Sequence, residues 1–405
     1  MKLTRTQIRH YKSLSDVVVD LHPQVTVLVG PNAVGKTNYV DALRFLRDAA
    51  RDGIDHAIVS RGGMMRVRQY STTGRPPNIG FAIDALQSFD ESPDEPVNYA
   101  LDIGSVSGGN YKIEREEANS YREDWVPARE PDESDETALF YEGFVRDKAG
   151  YVIKKGQRSK DRISIGEQDR LALGALIGDH EFRSLGAHMH NYICQWKFAA
   201  LYPNTLRLLT TPDTDVMLRE DGSNWASVIR SAKRTARGKR MLDRINEMMR
   251  VVLPDFLDVT VSTAGSYLVP TFRFQGESKA IREFDAVQLS DGTLRIFGIL
   301  LSLYQSPAPS LIVIEEPEQT VHPAVLSMLA EAFQEVSELT QIIVTTHSPQ
   351  LIEHFTPENI RIVTMHDGVT QIAPIKASQR EAVQRGLMTL GEFMSAEGLL
   401  PETTP

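Results

Sequence analysis

The residues with the clearest chemistry form the run GPNAVGKT at positions 30–37. A loop of the pattern G-x-x-x-x-G-K-T wraps its backbone N–H groups around phosphate oxygens. In such a loop Lys36 reaches the terminal phosphates and the hydroxyl of Thr37 ligates Mg²⁺. We therefore predict a phosphate-binding loop, and its residues are Gly30, Pro31, Asn32, Ala33, Gly35, Lys36, Thr37 and Asn38.

The elements on either side of this loop are those that the motif needs. The apolar run at 25–29 is typical of a buried β-strand. After the loop, Tyr39, Leu43, Leu46 and Ala50 recur at helical spacing. A strand, loop and helix in this order place the positive end of the helix dipole at the phosphates.

A second group of residues lies far downstream, at the ends of two apolar runs. The run at 311–314 ends in Glu315 and Glu316, and the run at 342–344 is followed by Thr345, Thr346 and His347. The first carboxylate suits Mg²⁺ or its water, and the second can polarise an attacking water. A histidine at the end of the neighbouring strand can sense the terminal phosphate of a nucleotide.

A third segment, LSDGT at 289–293, leads into a predicted helix at 294–304. A serine and a glycine before a helix N-terminus suit contact with a phosphate group. The candidate residues are Ser290, Asp291 and Gly292.

These motifs, in this order and spacing, resemble the ABC-type ATPases of the SMC, RecF and OLD group. The resemblance implies an α/β fold, an ABC/SMC-head-like P-loop ATPase with a mixed sheet. It also implies that Thr37 and Glu315 hold Mg²⁺, that Glu316 activates water and that His347 senses the γ-phosphate. The expected cofactors are therefore ATP and Mg²⁺, and the expected activity is hydrolysis of ATP to ADP and phosphate.

By the same resemblance, the LSDGT segment stands where the family has LSGGQ. Ser290, Asp291 and Gly292 would then contact ATP held by a second subunit. The expected assembly is a head-to-tail homodimer closed around ATP, or a higher oligomer built from such dimers.

The sequence departs from the family pattern at three positions. Ala33 replaces a frequent glycine, Glu315 replaces the usual aspartate, and His322 stands where many relatives have an aspartate. The EEPE and HP forms look most like the OLD-type, defence-associated branch. OLD-type proteins carry a C-terminal Toprim nuclease, but the stretch after His347 is too short for that domain. We therefore expect a separate, nuclease-like effector protein.

The domain organisation expected from these motifs has four segments. The first half of the ATPase head covers 1–84, an insertion of acidic loops and a helical lid covers 85–282, and the second half of the head covers 283–376. Short helices and a tail follow at 377–405. The insertion has no sustained heptads, so it is expected to be a mainly helical lid rather than a long coiled coil.

Within the insertion, residues 225–250 predict one long helix with an apolar side. Basic residues recur on it at three- and four-residue steps, which would place them along one face. That stripe is either a phosphate-tracking surface for nucleic acid or a solvated face, which could also pair with an acidic segment. The candidate contacts are Arg230, Lys233, Arg234, Arg237 and Arg240.

Composition and charge limit the class of protein. Of the 405 residues, 41% are hydrophobic and 24% charged, and apolar stretches are too short for a membrane span. Cys194 is the only cysteine, so an internal disulfide is excluded and a cytoplasmic location is expected. The net charge of −10 arises in one region, because positions 84–136 hold sixteen acidic and four basic residues.

The predicted function is an ATP-hydrolysing switch that dimerises on ATP and controls a separate effector in nucleic-acid surveillance or anti-phage defence. The alternative is a RecF-like DNA repair or maintenance ATPase that acts directly on DNA. A transporter engine fits poorly, because the gap between Lys36 and Ser290 is far longer than in that class. A nucleotide-dependent scaffold with negligible turnover would have no need of Glu316.

Overall fold

The computed structural model describes residues 1–69, 77–89, 92–106, 110–121, 140–146, 151–155, 162–164, 170–175, 185–215, 217–276 and 280–402. Strands make up a large part of these residues. In chain order they are β1 (Lys2–Tyr11), β2 (Leu14–Asp20), β3 (Val25–Val29), β4 (Ile79–Phe89), β5 (Ser92–Ser105), β6 (Tyr111–Tyr121), β7 (Phe140–Arg146), β8 (Tyr151–Lys155), β9 (Arg162–Ser164), β10 (Lys197–Ala199), β11 (Phe256–Ala264), β12 (Tyr267–Gln275), β13 (Ile281–Asp285), β14 (Leu311–Glu315), β15 (Gln341–Thr346), β16 (Ile360–His366) and β17 (Val369–Pro374).

The helices range from single turns to about five turns. They are α1 (Lys36–Asp52), α2 (Ile54–Val59), α3 (Met64–Val67), α4 (Ala172–Ala175), α5 (Leu185–Cys194), α6 (Pro203–Leu206), α7 (Trp225–Ala232), α8 (Ala236–Val252), α9 (Asp291–Tyr304), α10 (Leu326–Val336), α11 (Pro349–Ile352), α12 (Ala377–Gln384) and α13 (Leu390–Ala396). Short 3₁₀ turns cover Ala286–Gln288, Pro323–Val325 and Pro357–Asn359.

The chain forms two compact units that are interleaved along the sequence. Unit 1 consists of Met1–Pro23, Pro31–Trp196 and Val363–Ala373. Unit 2 consists of Gln24–Gly30, Lys197–Ile362 and Pro374–Pro405. The four-segment organisation expected from the sequence motifs stays a prediction.

Unit 2 is built on a largely parallel sheet in which β10, β14, β15 and β3 are adjacent in that order, followed by the first residues of β16, Ile360 to Ile362. Strands β3, β14 and β15 run parallel, with Val29 opposite Thr346 and Glu315 opposite Thr345. Their apolar side chains are fully buried, as expected for a sheet covered on both faces. Because parallel strands end at the same edge, the residues that follow β3, β14 and β15 emerge side by side.

Unit 1 contains an antiparallel sheet with the order β2-β1-β4-β5-β6-β7-β8-β9. Helix α1 packs on it through aromatic contacts. The rings of Phe45 and Phe81 stack with centroids 5.2 Å apart, and Tyr11 meets each of them edge-on at 5.7 Å. The hydroxyls of Thr6 and Tyr39 join β1 to α1 by a hydrogen bond of 2.8 Å.

The α/β head with a mixed sheet is confirmed, but the expectation of a mainly helical insertion is wrong. In the described part of 85–282, strands β4 to β13 outweigh helices α4 to α8. Burial alternates along β5, with Val97, Tyr99 and Leu101 inside and Asn98 half-exposed. Among the described acidic residues, Asp102, Glu114 and Glu117 are half-exposed on these strands, whereas Glu116 is buried. The acidic stretch at 122–139 lies outside the described residues.

The single helix predicted over 225–250 is also wrong, since α7 ends at Ala232 and α8 begins at Ala236. Thr235 caps the new helix by accepting a hydrogen bond of 3.0 Å from the N–H of Gly238. A threonine that can cap competes with continued helix, and the apolar spacing gave no sign of the interruption.

The conformation of the phosphate-binding loop depends on a close approach at Gly35, which has φ of 101°. A Cβ at this position would lie 2.0 Å from Oγ1 of Thr370 and 3.0 Å from Oγ of Ser13. Only glycine tolerates both the backbone conformation and the crowding.

Gly35→Ala is therefore expected to destabilise unit 1 more than the same change at a glycine that has a positive φ but open space around an added Cβ. Gly368 is the control, because its φ is 76° and nothing lies within 4 Å of an added Cβ. We expect Gly368→Ala to lower the free energy of unfolding by about 1–2 kcal/mol, and Gly35→Ala by at least about 3 kcal/mol. Urea denaturation measures both values.

Adding Thr370→Ala to Gly35→Ala removes the crowding oxygen. The two changes together should then cost about 1 kcal/mol less than the sum of the single changes. Equal losses for Gly35→Ala and Gly368→Ala would contradict the claim that Thr370 constrains the loop.

Candidate functional site

The predicted phosphate-binding loop starts where the parallel sheet of unit 2 ends. The N–H of Gly30 donates to the carbonyl oxygen of Thr346 at 3.4 Å, so the first residue of the loop lies beside the end of β15. The chain then passes through 31–35 into α1, whose first residue is Lys36. This is the strand, loop and helix order that the sequence predicted.

Inside unit 1, the loop has the backbone shape that brings N–H groups inward. Ala33 and Gly35 both have positive φ, 66° and 101°. The Lys36 side chain is buried, and its Nζ donates to the carbonyl oxygen of Pro31 at 2.9 Å. Pro31, Asn32, Ala33 and Thr37 are exposed, whereas Asn38 is half-buried. The positive φ explains why a glycine is frequent at the position of Ala33 in related loops.

Two residues outside the loop, Ser13 and Thr370, hold it in place by hydrogen bonds. The sequence analysis predicted neither role. Thr370 Oγ1 donates to the carbonyl oxygen of Val34 at 2.9 Å and pairs with Ser13 Oγ at 2.7 Å. The Nδ2 of Asn38 also donates to Ser13 Oγ, at 2.7 Å. Nothing local in the sequence marks Thr370 as a loop contact, because it belongs to a strand more than 300 positions later.

A half-buried charge cluster holds the first turns of α1. Lys12 Nζ and the Tyr11 hydroxyl each donate to Asp41 Oδ2 at 2.6 Å, and Arg61 Nε donates to Oδ1 at 3.0 Å. Burial alone would raise the pKa of Asp41, but the hydrogen bonds from Lys12 and Tyr11 and the charge of Arg61 lower it. The ring of Tyr11 is buried against Phe45 and Phe81, so Tyr11 is an aromatic residue of β1 that packs in the core.

The acidic turn of unit 2 is held by a buried arginine. Arg295 Nη2 donates to the carbonyl oxygens of Glu315 and Glu316 at 3.0 Å each, and Nη1 donates to that of Leu201 at 2.9 Å. Glu316 has φ of 45°, an uncommon value for a residue with a side chain. Its N–H donates to the carbonyl oxygen of Thr345 at 2.9 Å, which seats the turn against the end of β15.

Glu318 connects the acidic turn to His347, and the sequence analysis did not single it out. Its Oε1 accepts hydrogen bonds from Thr346 Oγ1 at 2.5 Å and from the His347 N–H at 3.0 Å. The ring Nδ1 of His347 lies 3.4 Å from the same oxygen and 3.8 Å from Glu316 Oε1. The other oxygen, Oε2, is buried and has no hydrogen-bond partner among the residues that the structure describes. The sequence signal that could have identified Glu318 is its place as the third acidic residue of the EEPE run.

The LSDGT segment caps α9. Ser290 Oγ accepts from the N–H of Thr293 at 3.2 Å, and the side chain is exposed. Asp291 Oδ1 accepts from Arg207 Nη2 at 2.6 Å. At Gly292 a Cβ would lie 2.4 Å from the carbonyl oxygen of Thr320, so glycine lets the two segments approach closely.

The basic residues predicted along one helix face do not share a continuous face, because the helix breaks after Ala232. Arg230 lies in the last turn of α7, Lys233 lies in the interruption, and Arg237 and Arg240 belong to α8. Burial lowers the pKa of Lys233, which lies near Asp258 and Arg273 of the three-stranded sheet. Arg234, Arg237 and Arg240 are exposed.

Each of the two groups, taken by itself, has residues of the types that bind Mg²⁺ or the phosphates of a nucleotide. The Thr37 hydroxyl and the Glu315 carboxylate supply oxygen atoms, the ligands that Mg²⁺ prefers. The glycine-shaped cradle and the buried Lys36 suit phosphate groups. Among the described residues, no cluster of three or more His, Cys, Asp or Glu forms a metal site made of protein ligands alone.

Known proteins similar in sequence match the chain over short stretches or at low identity. The RecF protein "DNA replication and repair protein RecF" of Staphylococcus carnosus is 44% identical over 43 residues, 11% of this chain and 12% of its own length. That of Bifidobacterium longum subsp. infantis is 48% identical over 46 residues. The "Chromosome partition protein Smc" of Rhodopseudomonas palustris is 26% identical over 211 residues, 51% of this chain and 17% of its own. The chain thus spans under a fifth of the length of these curated relatives.

Solved structures share the fold. An SMC head bound to the C-terminal winged-helix domain of ScpA aligns over 94% of this chain and 99% of its own, with a TM-score of 0.55 and 12% identity. A second SMC head, with an extended coiled coil and bound to the C-terminal domain of ScpA, gives 0.54 at 10% identity over 95% and 99%. The structure therefore has an SMC-head-type fold. No helix in the described residues is long and apolar enough to cross a membrane.

The family model described as "AAA domain, putative AbiEii toxin, Type IV TA system" matches residues 25–353. That range runs from β3, before the phosphate-binding loop, to the residues after His347. The strand ends, the loop and the acidic turn described above all lie within it. The chain belongs to this AAA-domain family, and over part of its length it is similar in sequence to RecF and Smc proteins.

Proposed function

We propose that the protein binds ATP with Mg²⁺ and uses its hydrolysis as a conformational switch. One observation carries this proposal: β3, β14 and β15 end at one edge of a parallel sheet. The phosphate-binding loop leaves from β3, the acidic turn from β14 and His347 from β15. A loop for phosphates, carboxylates for metal and water, and a γ-phosphate sensor are the parts that nucleotide hydrolysis requires.

Each residue has a distinct role in this proposal. Lys36 places a positive charge against the phosphates, while Thr37 and Glu315 hold the metal through oxygen atoms. Glu316 accepts a proton from the attacking water, and His347 donates to the γ-phosphate. Mg²⁺, when bound, neutralises charge that develops on the phosphate oxygens.

The assembly that we propose is a dimer closed by ATP, or a higher oligomer of such dimers. Ser290 and Asp291 are exposed at the N-terminus of α9, a helix of 14 residues. Exposed N–H groups and a hydroxyl at a helix start are suited to a phosphate held by another subunit. The close packing of Gly292 on Thr320 fixes this segment in a single position.

We further propose that the switch controls a separate effector protein, nuclease-like, in nucleic-acid surveillance or anti-phage defence. Two features support a protein partner: the family description names a toxin of a type IV toxin–antitoxin system, and the similar SMC heads are bound to domains of ScpA. The alternative, a DNA repair or maintenance ATPase, is supported by the RecF relatives. Identification of proteins that co-purify with the tagged chain, with and without ATP, distinguishes an effector from DNA as the target.

Glu316→Gln tests the chemistry. The variant should bind ATP and Mg²⁺ but lower turnover by about 10² or more, because the amide cannot accept the proton from water. Phosphate release measures turnover, and titration of a fluorescent ATP analogue measures binding. Lys36→Ala is the comparison variant and should weaken binding itself. Unchanged turnover in Glu316→Gln would show that another group is the base.

Glu318→Ala tests whether this carboxylate positions His347. Turnover should fall about tenfold or more, because small displacements of a catalytic group are costly, while ATP affinity stays within about threefold. Glu318→Gln should retain most activity, since its amide oxygen can still accept from the His347 N–H. Glu331→Ala, an exposed acid on α10, is the matched control. Equal loss of turnover and affinity would indicate general disruption instead of positioning.

Ser290→Arg tests the composite site. The added bulk and charge should block the ATP-dependent dimer, seen by light scattering, while the monomer still binds ATP. Mixing this variant with Lys36→Ala gives heterodimers that hold at most one intact site, so activity should return in part. Full turnover by the Ser290→Arg variant alone, as a monomer, would refute contact in trans.

A further inference from the structure

The interruption between α7 and α8 creates a tight helix crossing. Gly238 makes this approach feasible, because a Cβ there would lie 2.2 Å from the carbonyl oxygen of Ala232. Thr235 caps α8 at the same place. The last turn of α7 and the first turn of α8 are therefore packed closely against each other.

A pocket of about 320 Å³ opens at this crossing. Val228 and Ala232 of α7 and Met241 of α8 form its apolar wall. Hydroxyl-bearing residues and the exposed Arg237 stand at its edge. The volume lies at the lower end of the range for ligand pockets and suits one large apolar side chain.

The surface around the pocket carries an uncompensated positive charge. Positions 230–240 contain six basic residues and no acid. Arg234, Arg237, Lys239 and Arg240 are exposed, and the described part of the chain offers none of them an ion pair. Arg244, one turn further, differs, because it pairs with Glu335 at 2.7 Å. A charge left unpaired on a surface attracts an acidic partner.

The combination of an apolar pocket and a basic rim discriminates between partners. A nucleic-acid backbone favours an unbroken row of cations, but the helix ends at Ala232 and the charge of Lys233 lies near that of Asp258. A duplex backbone also presents phosphates and has no apolar side chain to fill the pocket. An acidic protein segment satisfies both features, since its carboxylates meet the arginines and one apolar side chain enters the pocket.

We propose that the pocket at the α7–α8 crossing, lined by the exposed Arg237, is a docking site for an acidic segment of a partner protein. The exposed Arg234 and Arg240, which are close to Arg237 in the sequence, add to the basic surface that we call its rim. The segment inserts a single apolar residue between Val228 and Met241. Charge selects the partner and speeds its approach, and the pocket fixes its register. The site is independent of the nucleotide motifs, so it stands whether or not ATP hydrolysis drives the switch.

Short fluorescein-labelled peptides test the proposal by anisotropy on the full chain. One peptide consists of glutamate and aspartate with a central leucine, and the other has serine at that position. We expect the leucine peptide to bind about tenfold or more tightly than the serine peptide, because only leucine gains from burial. Equal affinities of the two peptides, or no binding of either at low salt, would overturn the proposal.

Variants separate the pocket from the rim. Ser231→Leu fills the pocket and should remove the advantage of the leucine peptide while leaving the serine peptide unaffected. Arg234→Glu with Arg237→Glu and Arg240→Glu should abolish binding of both peptides, whereas the corresponding triple lysine variant retains it. Lys376→Glu, an exposed cation elsewhere in unit 2, is the control for charge reversal. Phosphate release should be unchanged in all of them, which keeps this test distinct from that of the ATPase.

A short DNA duplex and a short RNA, titrated across salt, decide against the alternative. Three results together would assign the arginines to nucleic acid and reject the peptide site. The nucleic acid would bind more tightly than the leucine peptide, and Ser231→Leu would not change its affinity. The logarithm of the affinity for duplex DNA would fall with the logarithm of the salt concentration with a slope of about −0.9 per phosphate. Weaker nucleic-acid binding than peptide binding supports the proposal.

Discussion

A single guanidinium fixes the turn on which the acidic residues are presented. Arg295 is buried and donates to three backbone carbonyls, two of which belong to Glu315 and Glu316. Glu316 has a left-handed backbone that costs about 1–2 kcal/mol. Burial lowers the pKa of Arg295, and the nearby charge of Glu318 opposes that effect. The hydrogen bonds from this charged donor to the two carbonyls offset the strain, so the carboxylates emerge from a rigid turn.

The parallel sheet converts this local constraint into a site. Strand β15 lies between β14 and β3, and its last residues contact both neighbours. The carbonyl oxygen of Thr346 accepts from the N–H of Gly30, and its hydroxyl donates to Glu318. The start of the phosphate-binding loop and the acidic turn are therefore both positioned by the same residue of β15. A shift of β15 by one residue would displace both groups at once. The geometry of the site is thus set by buried apolar strands, which can tolerate little movement.

The sequence predicted the parts that obey local rules. A loop with fixed glycine spacing, buried apolar strands and helix starts all carry signatures within a few residues. The fold class was implied by the family resemblance that these motifs carry. The missed features have other causes. Ser13 and Thr370 support the loop from distant positions, and Glu318 acquires its role only when β14 and β15 pair. The α7–α8 break was missed because apolar spacing continues across it. The strands of the insertion were missed because the sequence of this region is unusually acidic and resembles that of loops.

The contact between Thr370 and the loop at Gly35 also has a consequence for how the chain is made. A ribosome releases the loop long before it releases β17, since more than 300 residues separate them. Until β17 pairs, the left-handed loop lacks the hydroxyl that holds the carbonyl of Val34. Domains tend to fold as their segments emerge, so a nascent chain would present α1 without a finished phosphate cradle. The loop conformation that Gly35 and Thr370 hold together would then be completed only late in synthesis.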